Sequence, residues 1–393
     1  MLRTRVEADW KQVRHLGEGW NRLAELSETH EVFSTFEYAD AWIASGVRDV
    51  KPHVVVVEDG SEIAAIAPLM IASKRICGIR LVTVEFIGTP NCDYSDFLAR
   101  DEAALCALWR GVQDTAGGAD MLYLQQIKES SASYRMLRTK PDLIVRPCTM
   151  GLSARLPEAP DAPVEAYIKG PGLRKRTLRR VEKEGTVELV TFNRPGDVKA
   201  HLPILFDQHI RRWAGTSTPS FFLHKNVRAA YANWAERLGS RVILSILLLN
   251  KYPVAAVYGF VHNRKFVVHT VAFDPDYKQF HCGLVCIVRV MQALRPSGIE
   301  YVDFTRGSEP FKLFFADTCS FSYECIQPRT VRAKFVMEAY LTVKDLAIAH
   351  EPVRRLAAAL GYRAESPNPE ALKLRKGAGH EEESQPQHEE TYA

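Results

Sequence analysis

The chain of 393 residues contains no run of about 18 apolar residues, the length that crosses a bilayer as a helix. Its first residues, Met1-Leu2-Arg3-Thr4-Arg5-Val6-Glu7, include no apolar segment of the kind that forms a secretory leader. Charge of one sign is also missing. The 51 Lys and Arg residues nearly balance 47 Asp and Glu residues, leaving a formal charge of +4. That is too small an excess for a dedicated nucleic-acid binder, although local basic clusters can still hold phosphates. The eight cysteines make no C-x-x-C pair, and Cys106 and Cys286 sit inside apolar runs. Buried, reduced thiols are expected, and with them a reducing compartment. His281, Cys282 and Cys286 have no fourth ligand at a usual zinc spacing, so no metal is expected. These absences predict a cytoplasmic protein with no membrane span, no DNA partner and no disulfide framework.

What is present reads as a globular chain of two to three domains, 46% hydrophobic and 25% charged. A first helix is expected from Trp20 to Thr29. Ser34-Thr35-Phe36-Glu37 reads as a capping box that opens a second helix through Tyr38, Ala41 and Trp42. Pro52 to Glu58 is a β-branched strand, Asp59-Gly60 a hairpin turn, and Ile63 to Ala72 the returning strand. Leu81 to Ile87 is a third strand. Asp101 to Thr115 is a helix with Leu105, Leu108, Trp109 and Val112 on one face, and Met121 to Leu124 is a short buried strand.

The second half repeats this order. Strands at Arg241–Leu249, Val254–Val261 and Lys265–Phe273 precede a helix at Gly283–Leu294 and a strand at Ile299–Phe304. The hairpins VVVVEDGSEIAAIAPL and LSILLLNKYPVAAVYGF share a pattern, which points to an internal duplication. The expected units are 1–156 and 173–328, joined by a Pro-rich connector at 157–172. A basic helix from Leu173 to Glu184 opens the second. A helical extension over 329–362 and a disordered polar tail over 363–393 follow.

Several polar clusters each admit two readings. Asp93-Tyr94-Ser95-Asp96 ends the third strand, either as an Asx-capped turn or as carboxylates that bind and deprotonate an amine acceptor. Asp303-Phe304-Thr305-Arg306-Gly307-Ser308-Glu309-Pro310-Phe311-Lys312 is either a local ion-pair cluster or an acceptor site. Arg174, Lys175, Arg176, Arg179, Arg180 and Lys183 form either a solvated helix face or a seat for an anionic group. His209 and Trp213 lie four apart on one helix face beside Arg212, for packing or for binding.

The order of strand, hairpin, strand, loop, helix and strand is similar to the opening of a GNAT domain. The run HTVAFDPDYKQFHCGLVCIVRVMQALRPSGIEYVDFTRGSEPFKLFFAD resembles the C-terminal signature of the CelD/BcsL-like acetyltransferases. These are tandem GNAT proteins associated with cellulose and exopolysaccharide synthesis, and similar in structure to Fem-type peptidyltransferases. FSTFEYADAW, IAAIAPL, CDYSDFL, LRKRTLRRVEKEGTVELV and QHIRRW fit the same family in the same order, from about Trp20 to Thr318.

The resemblance implies an α/β fold of two tandem GNAT-like domains with mixed sheets, followed by a helical segment. It implies transfer of an acetyl or other acyl group from acyl-CoA to a sugar, a lipid-linked acceptor or an amine, in association with a polysaccharide synthesis complex. A non-catalytic partner of such a complex and a Fem-like aminoacyl transferase are the alternatives. It further implies that the third strand of the second half parts from its neighbour to admit the pantetheine arm, and that the loop from Asp274 to Gly283 meets the pyrophosphate. Phe273, Lys278, His281, Cys282, Gly283 and Leu284 are then the acyl-CoA residues. Asp93, Tyr94, Asp303 and Glu309 are the catalytic ones, and Asp96, His209, Arg212, Trp213, Arg306 and Lys312 bind the acceptor. The loop departs from the usual Gln/Arg-x-x-Gly-x-Gly/Ala, keeping only Gly283. Phe311, Phe314 and Phe315 stand where many GNAT enzymes carry a tyrosine acid. In the first half, Gly88-Thr89-Pro90-Asn91-Cys92 suits a turn better than a phosphate cradle, so the donor is expected in the second half alone.

Overall fold

The structure is a computed structural model that describes residues 2–46, 50–170, 178–216, 218–349 and residue 374. Arg174, Lys175 and Arg176 of the basic segment lie outside the described residues. So do the extension beyond Ala349 and the tail, apart from that single residue. The strands are β1 (Leu2–Glu7), β2 (Val50–Pro52), β3 (Val54–Asp59), β4 (Glu62–Ala67), β5 (Leu69–Ile76), β6 (Ile79–Phe86), β7 (Leu98–Ala99) and β8 (Met121–Lys128) in the first half. They continue as β9 (Ile144–Arg155), β10 (Val187–Phe192), β11 (Val242–Leu249), β12 (Tyr252–His262), β13 (Lys265–Phe273), β14 (Tyr301–Arg306) and β15 (Thr318–Pro328).

The hairpin at Asp59-Gly60 is present, with Gly60 at φ 64° joining β3 to β4. The returning strand is not one strand. Pro68 divides it: Ala67 pairs with Val55 in a small sheet ordered β1-β3-β4-β7, whereas Leu69 pairs with Phe86 in the large sheet. Proline donates no ladder hydrogen bond, and the chain changes sheets at that residue. The capping box at Ser34 to Glu37 does not form. The helix Phe36–Ile43 follows Thr35, whose hydroxyl donates to the Val32 carbonyl at 2.7 Å, while Asn21 Oδ1 accepts from the Phe36 amide at 2.9 Å. The first amphipathic helix spans Gly17–Leu26 rather than Trp20 to Thr29. Of the predicted basic helix, Leu178 is helical, Arg179 and Arg180 form a turn and Val181–Lys183 a short 3-10 helix, so the α-helix does not run unbroken to Glu184.

The large sheet has eleven strands in the order β10-β11-β12-β13-β14-β9-β15-β8-β6-β5-β2. Its centre is an exchange between the halves. β9 ends the first half in sequence yet pairs with β14, and β15 ends the second half yet pairs with β8. β9 and β15 pair with each other between them. β9 and β15, together with β1 and β10, have no counterpart in the sequence reading. In β9, Pro147 sits opposite Tyr323, next to a register irregularity, where a strand proline is tolerated.

One hydrophobic core joins the halves. Trp20, Tyr38 and Trp42 of the first half share it with Leu205, Tyr231 and Trp234 of the second. Tyr38 stacks on Trp234 at 4.8 Å. The opposite face of the second half is covered by the helix Cys282–Leu294, which buries Val285, Cys286, Ile287 and Met291 against β11 to β13. The mixed α/β architecture expected from the sequence is thus present, with the helix Val331–Ala349 after β15.

Candidate active site

β13 and β14 run in parallel but pair over only three rows, Lys265–Tyr301, Phe266–Val302 and Val267–Asp303. Beyond Val267 they part. β13 continues to Phe273, while β14 turns towards β9, pairing Arg306 with Gly151. The turn is made at Thr305, which adopts a left-handed φ of 58° and donates its amide to Asp303 Oδ1 at 2.7 Å. Backbone groups of Val268 to Phe273 on that side therefore lack a strand partner and border a cleft of about 330 Å³.

The helix Cys282–Leu294 begins at this cleft, capped by His281 in the left-handed conformation. In its first turn the Leu284 amide donates to the His281 carbonyl at 2.9 Å, while the amides of Cys282 and Gly283 have no acceptor within the helix and attract an anion. Phe273, Lys278, His281, Cys282, Gly283 and Leu284 all line the cleft, together with Arg212 and the apolar wall of Pro310, Phe311 and Phe314. A Cβ on Gly283 would lie 3.3 Å from the Phe273 ring and 3.6 Å from Val271. The glycine therefore lets helix and strand approach closely at the cleft's base. Burial pushes the Cys282 thiol up to about 11, so it is protonated and no nucleophile.

The other face of the parting strands is set by a bulge. Tyr258 pairs with Thr270 and Gly259 with Val268, leaving His269 as the extra residue. Glycine is required at 259, because a Cβ there would lie 2.2 Å from the Val267 carbonyl oxygen. The bulge turns His269 and Thr270 to the same face. The Thr270 hydroxyl meets that of Tyr231, and the His269 ring packs among Phe33, Tyr231, Trp234 and Phe260. Val271 and Phe273 go to the opposite face, towards the helix Cys282–Leu294.

His269 Nδ1 donates to Asp93 Oδ2 at 3.0 Å, and Arg306 Nε pairs with Asp93 Oδ1 at 2.9 Å. Burial by itself would raise the Asp93 pKa, but the His269 hydrogen bond and the charges of Arg306, His269 and Lys312 outweigh it. The carboxyl is held below its ordinary value. Next in the chain, the Tyr94 hydroxyl donates to Asp303 Oδ1 at 2.9 Å, over Gly151, where a Cβ would lie 2.6 Å from that hydroxyl. Burial and the Asp303 charge raise the Tyr94 pKa well above normal, so it acts as a donor. Asp303 itself is raised by burial and by Glu31, against the pull of Lys128 and Lys265. Those two lysines converge on Glu31 Oε1, each at 2.9 Å, one from each half.

Of the predicted residues, the structure thus brings together Asp93, Tyr94, Asp303, Arg306 and Lys312, whose Nζ donates to the Arg306 carbonyl at 2.6 Å. Glu309 stands at the edge, half exposed and paired with Lys312. Asp96 does not join them. It is buried beside Ser131 and Ser133, and burial, against their hydrogen bonds, pushes its pKa up to about 7. His209 is a packing residue: burial lowers its pKa to about 4, and Nδ1 lies 2.8 Å from the Ser220 hydroxyl. Trp213 carries its ring beside Arg212. Sequence reasoning missed His269, Glu31, Lys128 and Lys265. The available signal was Gly259, a glycine inside an otherwise apolar strand, which marks a bulge.

The first half has the same parting, but there the chain fills it. β6 and β8 pair only at Thr83–Met121 and Val84–Leu122, and the chain then returns into the gap. Ser95 bridges to Ile127, its amide donating to the Gln126 carbonyl at 2.9 Å. The same returning segment delivers Asp93 and Tyr94 to the second half.

Comparison with known proteins gives the same picture. Residues 174–313 match the acetyltransferase (GNAT) domain family. No curated protein sequence matches the chain. Among solved structures, FemX aligns with a TM-score of 0.53 at 11% identity, covering 78% of this chain and 95% of its own. A conserved protein of unknown function from Bacteroides thetaiotaomicron VPI-5482 aligns at 0.52 and 12% identity, covering 79% and 97%. A C-terminal domain named for a lysylphosphatidylglycerol synthetase from Agrobacterium fabrum aligns at 0.50 and 15% identity, covering 83% and 95%. At these identities the likeness is one of fold. The likeness to the GNAT acetyltransferases is thus one of sequence over residues 174–313 and one of mixed α/β fold over most of the chain.

Proposed function

We propose that the protein transfers an acyl group from acyl-CoA to an amine or hydroxyl, with the donor in the cleft between β13 and β14. One observation carries this reading: a strand edge without a partner and a helix N-terminus meet at a single cleft, as a pantetheine arm and a pyrophosphate require. Residues 1–156 and 173–328 then serve as two GNAT-like units, joined over 157–172, with only the second holding the donor. Asp93, by accepting the Nδ1 proton of His269, leaves Nε2 to take a proton from the attacking amine. Tyr94 of the first half bonds Asp303 of the second beside that pair, and Arg306 holds Asp93 ionised. An exopolysaccharide or cell-envelope acceptor is supported by the CelD/BcsL-like sequence resemblance alone.

Acetyl-CoA at a hundredfold over its Kd should stabilise the protein by about 2.7 kcal/mol. Gly283→Val, which crowds Phe273 and Val271, should remove that shift. No shift with acetyl-, malonyl- or longer acyl-CoA would refute the reading. Turnover with an amine acceptor should fall about 10²–10⁴-fold in His269→Gln with donor binding retained.

A further inference from the structure

Two consecutive arginines end the helix Pro195–Trp213, and the fold treats them differently. Arg211 is neutralised. Its guanidinium reaches Asp274 at 2.9 Å and Asp276 at 2.8 Å, pinning the helix to the loop before the cleft, and Tyr252 donates to the same Asp274 carboxylate. Arg212 points the other way, into the cleft. Its guanidinium lies 4.5 Å from the centre of the Phe273 ring and 5.3 Å from that of Trp213. Its hydrogen bond is a long one, 3.5 Å to the Val271 carbonyl. Among the described residues no carboxylate forms an ion pair with it, and burial lowers its pKa against the distant pull of Glu309. A half-buried guanidinium with up to five donors and one long acceptor is a charge awaiting a partner. The aromatic rings on either side fix it in place at little cost in further ordering.

We propose that Arg212 is the anion anchor of the donor cleft, binding an oxyanion of the acyl donor in bidentate fashion. This rests on the acyl-CoA reading above. The oxyanion has two chemical sources: the diphosphate of the coenzyme, or a carboxylate at the end of the acyl group. Position favours the diphosphate. Arg212 touches Val271 and Phe273, the two side chains nearest Gly283 and hence the helix N-terminus, whereas the paired rows of β13 and β14 end further in, at Val267 and Asp303. The anchor also accounts for a loop that keeps only one of the usual glycines: a side chain from another helix supplies charge in place of backbone amides.

The test is calorimetric titration of the full chain and of Arg212→Gln and Arg212→Lys with acetyl-CoA, acetyl-pantetheine, malonyl-CoA and inorganic diphosphate. Melting temperatures are recorded first to show that both variants fold. Loss of one bidentate charge-assisted contact should weaken acetyl-CoA about 10- to 100-fold in Arg212→Gln. Arg212→Lys, which keeps the charge but not the fork, should recover part of that loss. Acetyl-pantetheine should bind all three proteins alike. If only malonyl-CoA weakens, the anchor stands and the carboxylate is its partner. If the unaltered protein binds diphosphate through Arg212 but no thioester, the anchor stands and the acyl-CoA reading falls. If no anionic ligand loses affinity in Arg212→Gln, or if the unaltered protein binds none of the four, the proposal is overturned.

Discussion

Replacing Asp93 by asparagine separates the two things this residue does. Asn has nearly the same size, but it presents an NH₂ to one of two donors, His269 Nδ1–H or Arg306 Nε–H, and it removes the charge that neutralises Arg306. Breaking a buried ion pair by removing one partner typically costs about 3–5 kcal/mol. Arg306 is one-third exposed and keeps its bond to the Pro90 carbonyl, so a loss of about 2–4 kcal/mol is expected at pH 7. The sign with pH follows from the depressed pKa of Asp93. Its contribution is complete above the unfolded-state value near 3.9 and is lost as pH falls through the lower folded value. Urea unfolding of the native and Asp93→Asn proteins at a series of pH values therefore gives a gap that is full at pH 7 and narrows only below about pH 4. A gap under about 0.5 kcal/mol at pH 7, within the range of ordinary surface substitutions, would refute the reasoning. So would a gap that narrows already between pH 7 and 5, since another group would then be titrating.

Gly259→Ala should destabilise by about 1–3 kcal/mol or more, because its Cβ meets the Val267 carbonyl and the Phe266 ring. A melting temperature unchanged from the native protein would show that the bulge tolerates a side chain. Asp303→Ala should cost about 2–4 kcal/mol, since the Oδ1 it removes accepts both from the Tyr94 hydroxyl and from the Thr305 amide, leaving two buried donors unpaired. Glu309→Gln, at a half-exposed pair with Lys312, should stay within about 1 kcal/mol by denaturant unfolding, and equal losses in the two would contradict their placement. Asp96 carries the opposite pH signature to Asp93. With its pKa raised to about 7, it opposes folding increasingly as pH rises from about 4 to 7, by up to about 4 kcal/mol. Asp96→Asn should therefore gain on the native protein between pH 4.5 and 8, and parallel stability curves would rule that shift out.

Local signals determined much of this protein. The Asp59-Gly60 turn, the strands β11 to β13 and the helices Glu102–Thr115 and Cys282–Leu294 are legible from β-branched runs, caps and apolar periodicity, whereas the six predicted residues that line the cleft follow from the family resemblance. Each of those elements depends on neighbours a few residues away, which a sequence displays directly. Only the tertiary structure decided the centre of the sheet, where β9 and β15 cross between halves, because nothing local in a strand names its partner. It also decided that Pro68 moves the chain from one sheet to another, and that Thr35 starts its helix without a capping box. The pairings of the candidate site span the chain: Asp93 meets His269 across 176 positions, and Tyr94 meets Asp303 across 209. Whether a given aspartate meets His269 and Arg306, as Asp93 does, or lies apart, as Asp96 does, depends on which face of a returning segment it occupies. That face is fixed by packing in the gap between β6 and β8, and by a bulge whose one forewarning in the sequence is a glycine.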